Sequence, residues 1–163
     1  MSVAIFPGSF DPITLGHLEI IRRASRLFDR VVVCIMSNSA KHSPMFTVEE
    51  RTEQIRRVIA PYPNVTVDSS RELLAEYARG FESPVIVKGL RDGNDFIYEL
   101  QLDRINRKLY PELETVFIPS SAEYAYLSST VAREMANYGA PLGQFVPGEI
   151  IEEVECRAKQ RRN

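Results

Sequence analysis

The sequence predicts a single doubly wound α/β domain spanning residues 1–163. Short β-branched runs alternate with amphipathic helical stretches along the chain, a pattern typical of βαβ units. The runs are apolar at consecutive positions, as expected of strands that are buried on both faces of a parallel sheet. Because the crossovers between parallel strands are right-handed, we expect a five-stranded parallel sheet covered by helices on both faces, with further helices at the C-terminal end.

Strand and helix positions follow from these runs and from helix-capping signals. Strands are expected at residues 3–6, 31–36, 64–67, 84–89 and 115–118, and helices at residues 17–28, 47–59, 94–109, 128–138 and 147–161. Thr47 and Glu50 have the spacing of a capping box, in which each side chain bonds the other residue's backbone N–H. Ser69 and Glu72 repeat that spacing and predict a further helix, in which Leu73 is interpreted as a core residue.

Composition excludes several classes of protein. The 20 basic and 22 acidic residues are mixed along the chain and give a net charge of -2, so we expect no nucleic-acid partner. Cys34 and Cys156 are far apart and form no CxxC motif, which favours a reducing compartment. No apolar run approaches the roughly 20 residues that span a bilayer, and the N-terminus lacks a signal-peptide pattern. We therefore expect a cytoplasmic protein with no membrane partner.

The loops that follow the predicted strands contain the residues suited to binding a ligand. In a doubly wound Rossmann-like sheet, ligands bind beyond the carboxyl ends of the strands, where the strand order reverses. The sequence contains neither GxGxxG nor GxxxxGK[ST], which disfavours a dinucleotide-binding dehydrogenase or a P-loop kinase. The loops instead contain Ser9, Lys41, Lys88, Arg91 and the hydroxyl run 128–130. Hydroxyls, cations and a helix N-terminus favour a polyanionic ligand.

His17 is the most informative of these loop residues. It lies at the predicted start of the first helix, where the helix dipole disfavours an imidazolium, so we expect a neutral imidazole donor. Thr14, Leu15, Gly16 and His17 match the [HT]xGH signature of nucleotidylyltransferases. The alternative is an exposed or capping histidine with no catalytic role. His42 follows Lys41 in a polar loop and is interpreted as a solvated neighbour.

Several other candidates have two interpretations. Lys88 ends a buried strand, so its ammonium must meet either a ligand phosphate or a carboxylate of the protein. Arg91 and Glu99 suit a site but are equally consistent with surface charges, Glu99 pairing with an arginine on its own helix. Tyr124 and Tyr126 precede the hydroxyl run and either stack on a base or pack in the core.

Six segments together resemble the bacterial phosphopantetheine adenylyltransferase family, almost from end to end. They are FPGSFDPITLGH at 6–17, PMFTVEER at 44–51, VKGLR at 87–91, DFIYELQL at 95–102, NRKLYPELETVF at 106–117 and LSST at 127–130. The resemblance implies transfer of the adenylyl group of ATP to 4'-phosphopantetheine, giving dephospho-coenzyme A and pyrophosphate, with Mg²⁺ carried by the ATP phosphates. It also implies a homohexamer built as a dimer of trimers, and coenzyme A as a feedback inhibitor.

The resemblance also assigns roles to residues. It gives catalysis to His17, Lys41 and Arg91, with His17 steadying the α-phosphate, and no metal ligand to the protein. It gives the phosphopantetheine site to Ser9, Lys41, Leu73 and Lys88. It gives the ATP site to Ser9, Phe10, His17, Gly89, Leu90, Arg91, Glu99, Tyr124, Ala125, Tyr126, Leu127, Ser128, Ser129 and Thr130.

Two positions depart from the family pattern. Lys88 stands where the family usually has arginine, which replaces a planar fork of donors with a point charge. Ser9 stands where many members have threonine, and the hydroxyl is kept.

The chemistry of the implied reaction suits these residues. The attacking phosphate monoester has a second pKa of about 6 and is already mostly dianionic at neutral pH, so no general base is needed. Two alternatives stay open on the sequence. One is another nucleotidylyltransferase, acting on nicotinamide mononucleotide or a cytidine nucleotide, and the other is a regulatory domain that binds ATP without reacting.

Overall fold

The computed structural model describes residues 1–37 and 43–162, and it consists of one parallel sheet with helices on both faces. The five strands are β1 (Val3–Gly8), β2 (Arg30–Met36), β3 (Val65–Ser70), β4 (Pro84–Leu90) and β5 (Glu114–Pro119). The helices are α1 (Leu15–Leu27), α2 (Val48–Ile59), α3 (Leu74–Ala78), α4 (Gly93–Leu109), α5 (Ser129–Tyr138) and α6 (Ile151–Arg162). Short 3₁₀ turns lie at Ala122–Tyr124 and Gly148–Ile150.

The strand order is β3-β2-β1-β4-β5, and every neighbouring pair is parallel. The chain therefore builds outward from β1 in one direction through β3 and then returns to build β4 and β5 on the other side. The order reverses between β1 and β4, so the crevice for a ligand lies at the carboxyl ends of those two strands. The predicted α/β fold is confirmed.

Alternate side chains of the central strand serve two separate cores, as the two-residue repeat of a strand requires. Ala4 and Phe6 pack in a large cluster with residues of α1, α2, α5 and α6. Ile5 points to the opposite face, into a smaller cluster that includes Ala75 and Ala78 of α3. Helix α4 has no fully buried residue, so the second face is covered much more thinly than the first.

The helix predicted to begin at Ser69 is wrong. Ser69 and Ser70 are the last residues of β3, opposite Ile35 and Met36 of β2. Pairing with β2 keeps this backbone extended and delays the helix, so α3 begins only at Leu74. Leu73 is its N-cap residue without a side-chain cap bond and is 64% exposed, so the interpretation of Leu73 as core is also wrong.

The other helix termini follow local chemistry. The Thr47 and Glu50 capping box of α2 is present with both of its bonds. Ser128 caps α5 by accepting from the Val131 N–H, and Gly139 ends α5 in the left-handed region with φ 74°, where glycine has no steric penalty. No helix in the described part of the chain has both the length and the apolar character needed to cross a membrane.

Helix α1 packs closely on β4, and Gly89 makes this possible. A Cβ atom at Gly89 would lie 2.9 Å from Ile20 Cγ1, a separation that real Cβ atoms do not tolerate. Gly89 has therefore a packing role on the first face of the sheet, independent of any contact with a ligand. This contact brings the start of α1 to the carboxyl edge of β4.

We expect Gly89→Ala to destabilise the fold by about 1–3 kcal/mol, because the added methyl group overpacks the contact between β4 and α1. Gly93→Ala is the matched control. A Cβ at Gly93, the first residue of α4, would meet nothing within 4 Å, so alanine there should be neutral or stabilise by up to about 1 kcal/mol. Urea unfolding of both variants is the measurement, and equal stabilities would contradict the packing role.

Candidate active site

His17 is fixed at the start of α1 by a capping box that it shares with Thr14. The Thr14 side chain accepts from the His17 N–H at 3.2 Å, and His17 Nδ1 accepts from the Thr14 N–H at 3.0 Å. Histidine thus takes the place that Glu or Gln has in the usual capping box. His17 therefore does take part in capping the helix, which was the alternative to a catalytic role. Capping uses the ring nitrogen Nδ1 and not Nε2.

The same bond determines the tautomer of His17. Since Nδ1 accepts a hydrogen bond, the proton of the neutral ring lies on Nε2, which is left as a donor. Burial and then the nearby Arg91 cation lower the pKa of His17 from 6.5 to about 4. The ring also packs edge-on against Phe10, with 4.9 Å between centroids. The imidazole is therefore neutral at physiological pH, as the sequence predicts.

Phe10 offers only its backbone to a ligand. Its side chain is buried and lies edge-on to Phe6, with 5.4 Å between ring centroids. Its φ of 48° lies in the left-handed region, which is costly for a residue with a Cβ. Residues in such strained conformations are maintained by their surroundings and cluster at functional sites, so this loop is a candidate ligand-binding loop.

Two arginines from separate helices hold the backbone of the loop between β1 and α1. Arg51 of α2 donates from Nη1 to the Ser9 carbonyl at 2.7 Å, and Arg133 of α5 donates from Nη1 to the Asp11 carbonyl at 2.6 Å. Sequence reasoning assigned no role to either arginine, although Arg51 lies in the PMFTVEER segment that it singled out.

The Asp11 carboxylate joins this loop to the segment that precedes α2. It is buried and accepts from the backbone N–H groups of Met45 and Phe46, both at 2.9 Å. Asp11 is the acidic residue of the FDP sequence, and its role was also missed, because its partners lie more than 30 residues away along the chain.

The predicted hydroxyl run lies at the N-terminus of α5, and two of its members have structural bonds. Ser128 is the N-cap, and Ser129 Oγ donates to the Pro12 carbonyl at 2.8 Å. Thr130 is exposed. The first-turn N–H groups of Ser129 and Thr130 point along the helix toward its N-terminal end, where an anion is favoured.

Arg91 follows β4 directly and is held by Asp95. Its Nε and Nη2 donate to the two carboxylate oxygens at 2.8 and 3.0 Å. These hydrogen bonds lower the pKa of Asp95 and raise that of Arg91. The guanidinium is therefore held in one orientation, and it lies close enough to His17 to lower the pKa of that ring.

The stretch from Tyr124 to Leu127 covers the start of α1. A Cβ at Gly16 would lie 3.7 Å from Tyr124 Cβ and 3.9 Å from Leu127 Cδ2. Leu127 is buried in the protein, Tyr124 and Ala125 are half-buried, and Tyr126 is 52% exposed. Exposure makes the Tyr126 ring available to a ligand, whereas Leu127 is a core residue.

Lys88 and Glu99 form an ion pair, with 3.2 Å between Nζ and Oε2 and both side chains 18% exposed. From the sequence, Lys88 was expected to meet either a ligand phosphate or a carboxylate of the protein. In the structure it contacts such a carboxylate, that of Glu99 in α4. The suggestion that Glu99 pairs with an arginine of its own helix is wrong. These two residues, assigned to different substrates by the resemblance, contact each other across the gap between β4 and α4.

A pocket of about 120 Å³ lies beside this ion pair, on the thinly covered face of the sheet. Its lining combines apolar and polar side chains: Leu74, Ile86, Lys88, Glu99, Leu102, Asp103, Asn106 and Thr115. The Thr115 hydroxyl is buried and meets no hydrogen-bond partner among the described residues. Apart from Lys88 and Glu99, sequence reasoning assigned none of these residues to a site.

The remaining predicted residues lie at the same edge of the sheet or outside the described structure. Ser9 is exposed in the loop after β1, and Gly89 and Leu90 are half-buried at the end of β4. Exposed Leu73 lies at the start of α3, next to Leu74 of the pocket. Lys41 and His42 lie outside the described residues, and their predicted roles stay predictions.

Comparison with known proteins shows the family of the chain. Residues 5–135 match the cytidylyltransferase-like family. A phosphopantetheine adenylyltransferase from Alkaliphilus metalliredigens is 49% identical over 152 residues, covering 93% of this chain and 96% of the relative. The chain belongs to the phosphopantetheine adenylyltransferase family. Relatives of the same name from Caldanaerobacter subterraneus and Lachnoclostridium phytofermentans are 46% and 42% identical, each covering 98% or more of both chains.

A solved structure supports the fold of this family member. A Vibrio parahaemolyticus protein assigned as a nicotinate-nucleotide adenylyltransferase superposes with a TM-score of 0.71, covering 96% of this chain and 95% of that chain. The identity is 18%, so the likeness concerns the fold alone.

We expect His17→Gln to keep the fold and lower turnover by on the order of 10² to 10³-fold. Glutamine can still accept from the Thr14 N–H, as in the usual capping box, but its amide N–H is not held where the rigid imidazole holds Nε2–H, so the donor to the ligand is misplaced. His17→Ala removes both functions and should also lose about 1 kcal/mol of stability. Steady-state kinetics and melting temperature of the two variants are compared, and near-normal turnover of His17→Gln would contradict the assigned role.

The depressed pKa of His17 predicts a pH effect on stability. Between pH 6.5 and about 4 the unfolded chain binds a proton that the folded ring does not, so stability from this residue is complete above 6.5 and is lost as the pH falls toward 4. The loss is up to roughly 3 kcal/mol, at about 1.4 kcal/mol per pKa unit. Urea unfolding at pH 7 to 4 should show a smaller acid loss for His17→Gln, and parallel curves would contradict a low pKa.

Proposed function

We propose that the chain transfers the adenylyl group of ATP to 4'-phosphopantetheine, giving dephospho-coenzyme A and pyrophosphate, a step of coenzyme A biosynthesis. The support from relatives is their shared name at 42–49% identity over nearly the whole chain. We also propose that residues 1–163 act as one nucleotidylyltransferase domain in the cytoplasm, where Cys34 and Cys156, both free thiols, stay reduced.

The main observation in support of the proposal is that neighbouring residues of β4 face two different subsites. Gly89 faces α1, on the side where His17 and Arg91 lie, while Lys88 faces the pocket beneath α3 and α4. A reaction between two anionic substrates needs two such subsites that meet at one strand end. We assign the nucleotide to the His17 side and the acceptor to the Lys88 side.

The pocket suits the chemistry of phosphopantetheine. Leu74 and Leu102 supply apolar wall, and Asn106 and the unpartnered Thr115 hydroxyl supply polar groups. An aliphatic chain interrupted by amides can satisfy such a mixed lining, and Lys88 at the edge of the pocket provides a cation for the terminal phosphate.

In the proposed reaction, a phosphate oxygen of the acceptor attacks the α-phosphorus of ATP. A P–O bond forms there, the bond from the α-phosphorus to the bridging β-oxygen breaks, and pyrophosphate leaves. The acceptor is already a dianion, so no protein base takes a proton. His17 donates from Nε2 to an α-phosphate oxygen, and Arg91 and the N-terminus of α5 stabilise the growing negative charge.

Mg²⁺ enters this scheme as part of the substrate MgATP. Among residues 1–37 and 43–162 no group of three or more His, Cys, Asp or Glu side chains is placed to hold a metal ion. Mg²⁺ prefers phosphate oxygens and water to an all-protein cage, so binding through the nucleotide suits these residues. Coenzyme A contains the product, and we propose that it competes for the acceptor pocket as a feedback inhibitor.

We further propose a homohexamer, a dimer of trimers. Helix α4 has no buried residue and exposes several large apolar side chains, which is typical of a face that another subunit covers. They are Phe96, Ile97, Tyr98, Ile105 and Leu109. Light scattering in dilute buffer should give about six times the chain mass, and a monomer of 18.5 kDa would contradict the assembly.

Pyrophosphate release tests the activity. It should require both MgATP and 4'-phosphopantetheine and should be absent when nicotinamide mononucleotide replaces the acceptor. Release with nicotinamide mononucleotide would favour another adenylyltransferase. ATP binding with no release under either condition would favour a regulatory domain.

The Lys88 and Glu99 pair yields a prediction that separates phosphate binding from structural support. Lys88→Met should raise the KM for phosphopantetheine about 10- to 100-fold, because it removes a charge-assisted contact, and the KM for ATP much less. It should also lower the melting temperature, since Glu99 is left without its partner. The double variant with Glu99→Gln should recover the melting temperature but not the KM.

Glu99→Gln alone serves as the control for that experiment. It keeps the Lys88 cation and removes the charge that competes with a substrate phosphate, so the KM for phosphopantetheine should not rise. A rise in the KM for ATP would support the ATP contact assigned to Glu99. If both KM values rise in the variants whose melting temperature falls, and recover where the melting temperature recovers, Lys88 is a structural residue only.

A further inference from the structure

Arg51 is a buried arginine without an acidic partner in the described part of the chain. It is 6% exposed, and among residues 1–37 and 43–162 no carboxylate lies within 4.0 Å of its nitrogens. Its two hydrogen bonds go to backbone carbonyls: Nη1 to Ser9 at 2.7 Å and Nε to Thr47 at 3.2 Å. A buried guanidinium normally has a counter-ion.

The position of Arg51 adds to this cost. It lies in the first turn of α2, which begins at Val48, and the dipole of a helix disfavours a cation there. Of the two acidic residues in that turn, Glu50 is bound by Arg157 at 2.5 Å and Glu49 is exposed. The Arg51 cation helps to lower the pKa of Glu49, but this exposed carboxylate forms no ion pair with it, so the buried charge is left to be compensated by an external anion.

The bond to Ser9 shows where that anion would lie. The C=O of Ser9 and the N–H of Phe10 belong to one peptide unit, and in a trans peptide these groups point in opposite directions. Since Arg51 binds the carbonyl, the Phe10 N–H points away from Arg51. That N–H meets no acceptor among the described residues, although Phe10 is buried.

We propose that Arg51 is a positioning residue for substrate phosphate, and this inference rests on the proposed function. By holding the Ser9 carbonyl, it turns the Phe10 N–H and the loop backbone toward the phosphate. Its buried charge adds positive potential behind the loop, where little solvent screens it. This accounts for the cost of burying Arg51, because bound phosphate supplies the missing negative charge.

The proposal is tested with pairs of ligands that differ only in whether they carry phosphate. Such pairs separate an effect on phosphate binding from an effect on the rest of the ligand. Calorimetry would compare phosphopantetheine with pantetheine, and ATP with adenosine, for the wild type, Arg51→Gln and Arg51→Lys. Arg56→Gln is the control, since Arg56 lies on the same helix, is exposed and pairs with Glu53. Melting temperature, kcat and both KM values are measured for each variant.

Arg51→Gln should weaken phosphopantetheine or ATP at least tenfold while changing the matching ligand without phosphate less than about threefold. Arg51→Lys keeps the charge and one bond, and should show a smaller loss with the same selectivity. If Arg51→Gln does not fold, the selectivity of Arg51→Lys decides. Equal losses for the ligands with and without phosphate, or values equal to those of Arg56→Gln, would overturn the proposal.

The two ligand pairs keep this inference separable from the proposed function. If the wild type binds ATP but not phosphopantetheine, the proposed acceptor is wrong and the ATP pair still tests Arg51. If the wild type binds both phosphorylated ligands and Arg51→Gln shows no selective loss, the inference about Arg51 is wrong and the proposed function stands. Failure of the wild type to bind either phosphorylated ligand would overturn both.

Discussion

The hydrogen bond from the Thr14 N–H to His17 Nδ1 is the interaction on which the geometry of the site depends. It completes the cap of α1, so helix formation itself fixes the imidazole. It also places the ring proton on Nε2, and burial of the ring lowers its pKa to about 4, so the donor stays neutral and does not titrate near pH 7. One local contact thus sets the start of a helix, the tautomer and the direction of a donor. Helix α1 in turn approaches β4 closely only because Gly89 has no Cβ.

Side-chain contacts with distant segments determine the shape of the loop after β1. Arg51 and Arg133 bind its carbonyls, and the Asp11 carboxylate binds the backbone at Met45 and Phe46. Each of these bonds orients peptide groups rather than side chains. Because Arg51 holds the Ser9 carbonyl, the N–H of the same peptide unit, that of Phe10, points to the other side, which is what a phosphate requires. The left-handed φ of Phe10 follows from the same constraint, because the surrounding bonds maintain a conformation that the residue would otherwise avoid.

The sequence predicted those features that depend on local patterns. Alternating apolar runs predicted all five strands, and a capping-box spacing predicted the start of α2 at Thr47. The same spacing gave a wrong prediction at Ser69. A local sequence pattern carries no information about the backbone hydrogen bonds that pair this segment with β2. The TxGH motif singled out His17, and the contact that fixes its ring is local, since Thr14 lies only three residues away. Non-local contacts gave no such signal: the pairing of Lys88 with Glu99 and the lining of the pocket depend on how α4 crosses β4.

The cations of the site differ in how their charge is compensated, and this difference bears on how a polyanion is bound. Lys88 and Arg91 each contact a carboxylate at the edge of the crevice, and an arriving phosphate would take the place of that carboxylate. Exchange costs less at the Arg91 pair, whose side chains are 37% and 26% exposed, than at the Lys88 pair, where both side chains are 18% exposed. Arg51 forms no ion pair among the described residues, so no carboxylate has to be displaced before its charge acts on the ligand. A reaction that needs no protein base depends on such fixed charge, and the proposed transfer would then use cations released from carboxylates to bind its substrates and a buried cation to orient the loop between them.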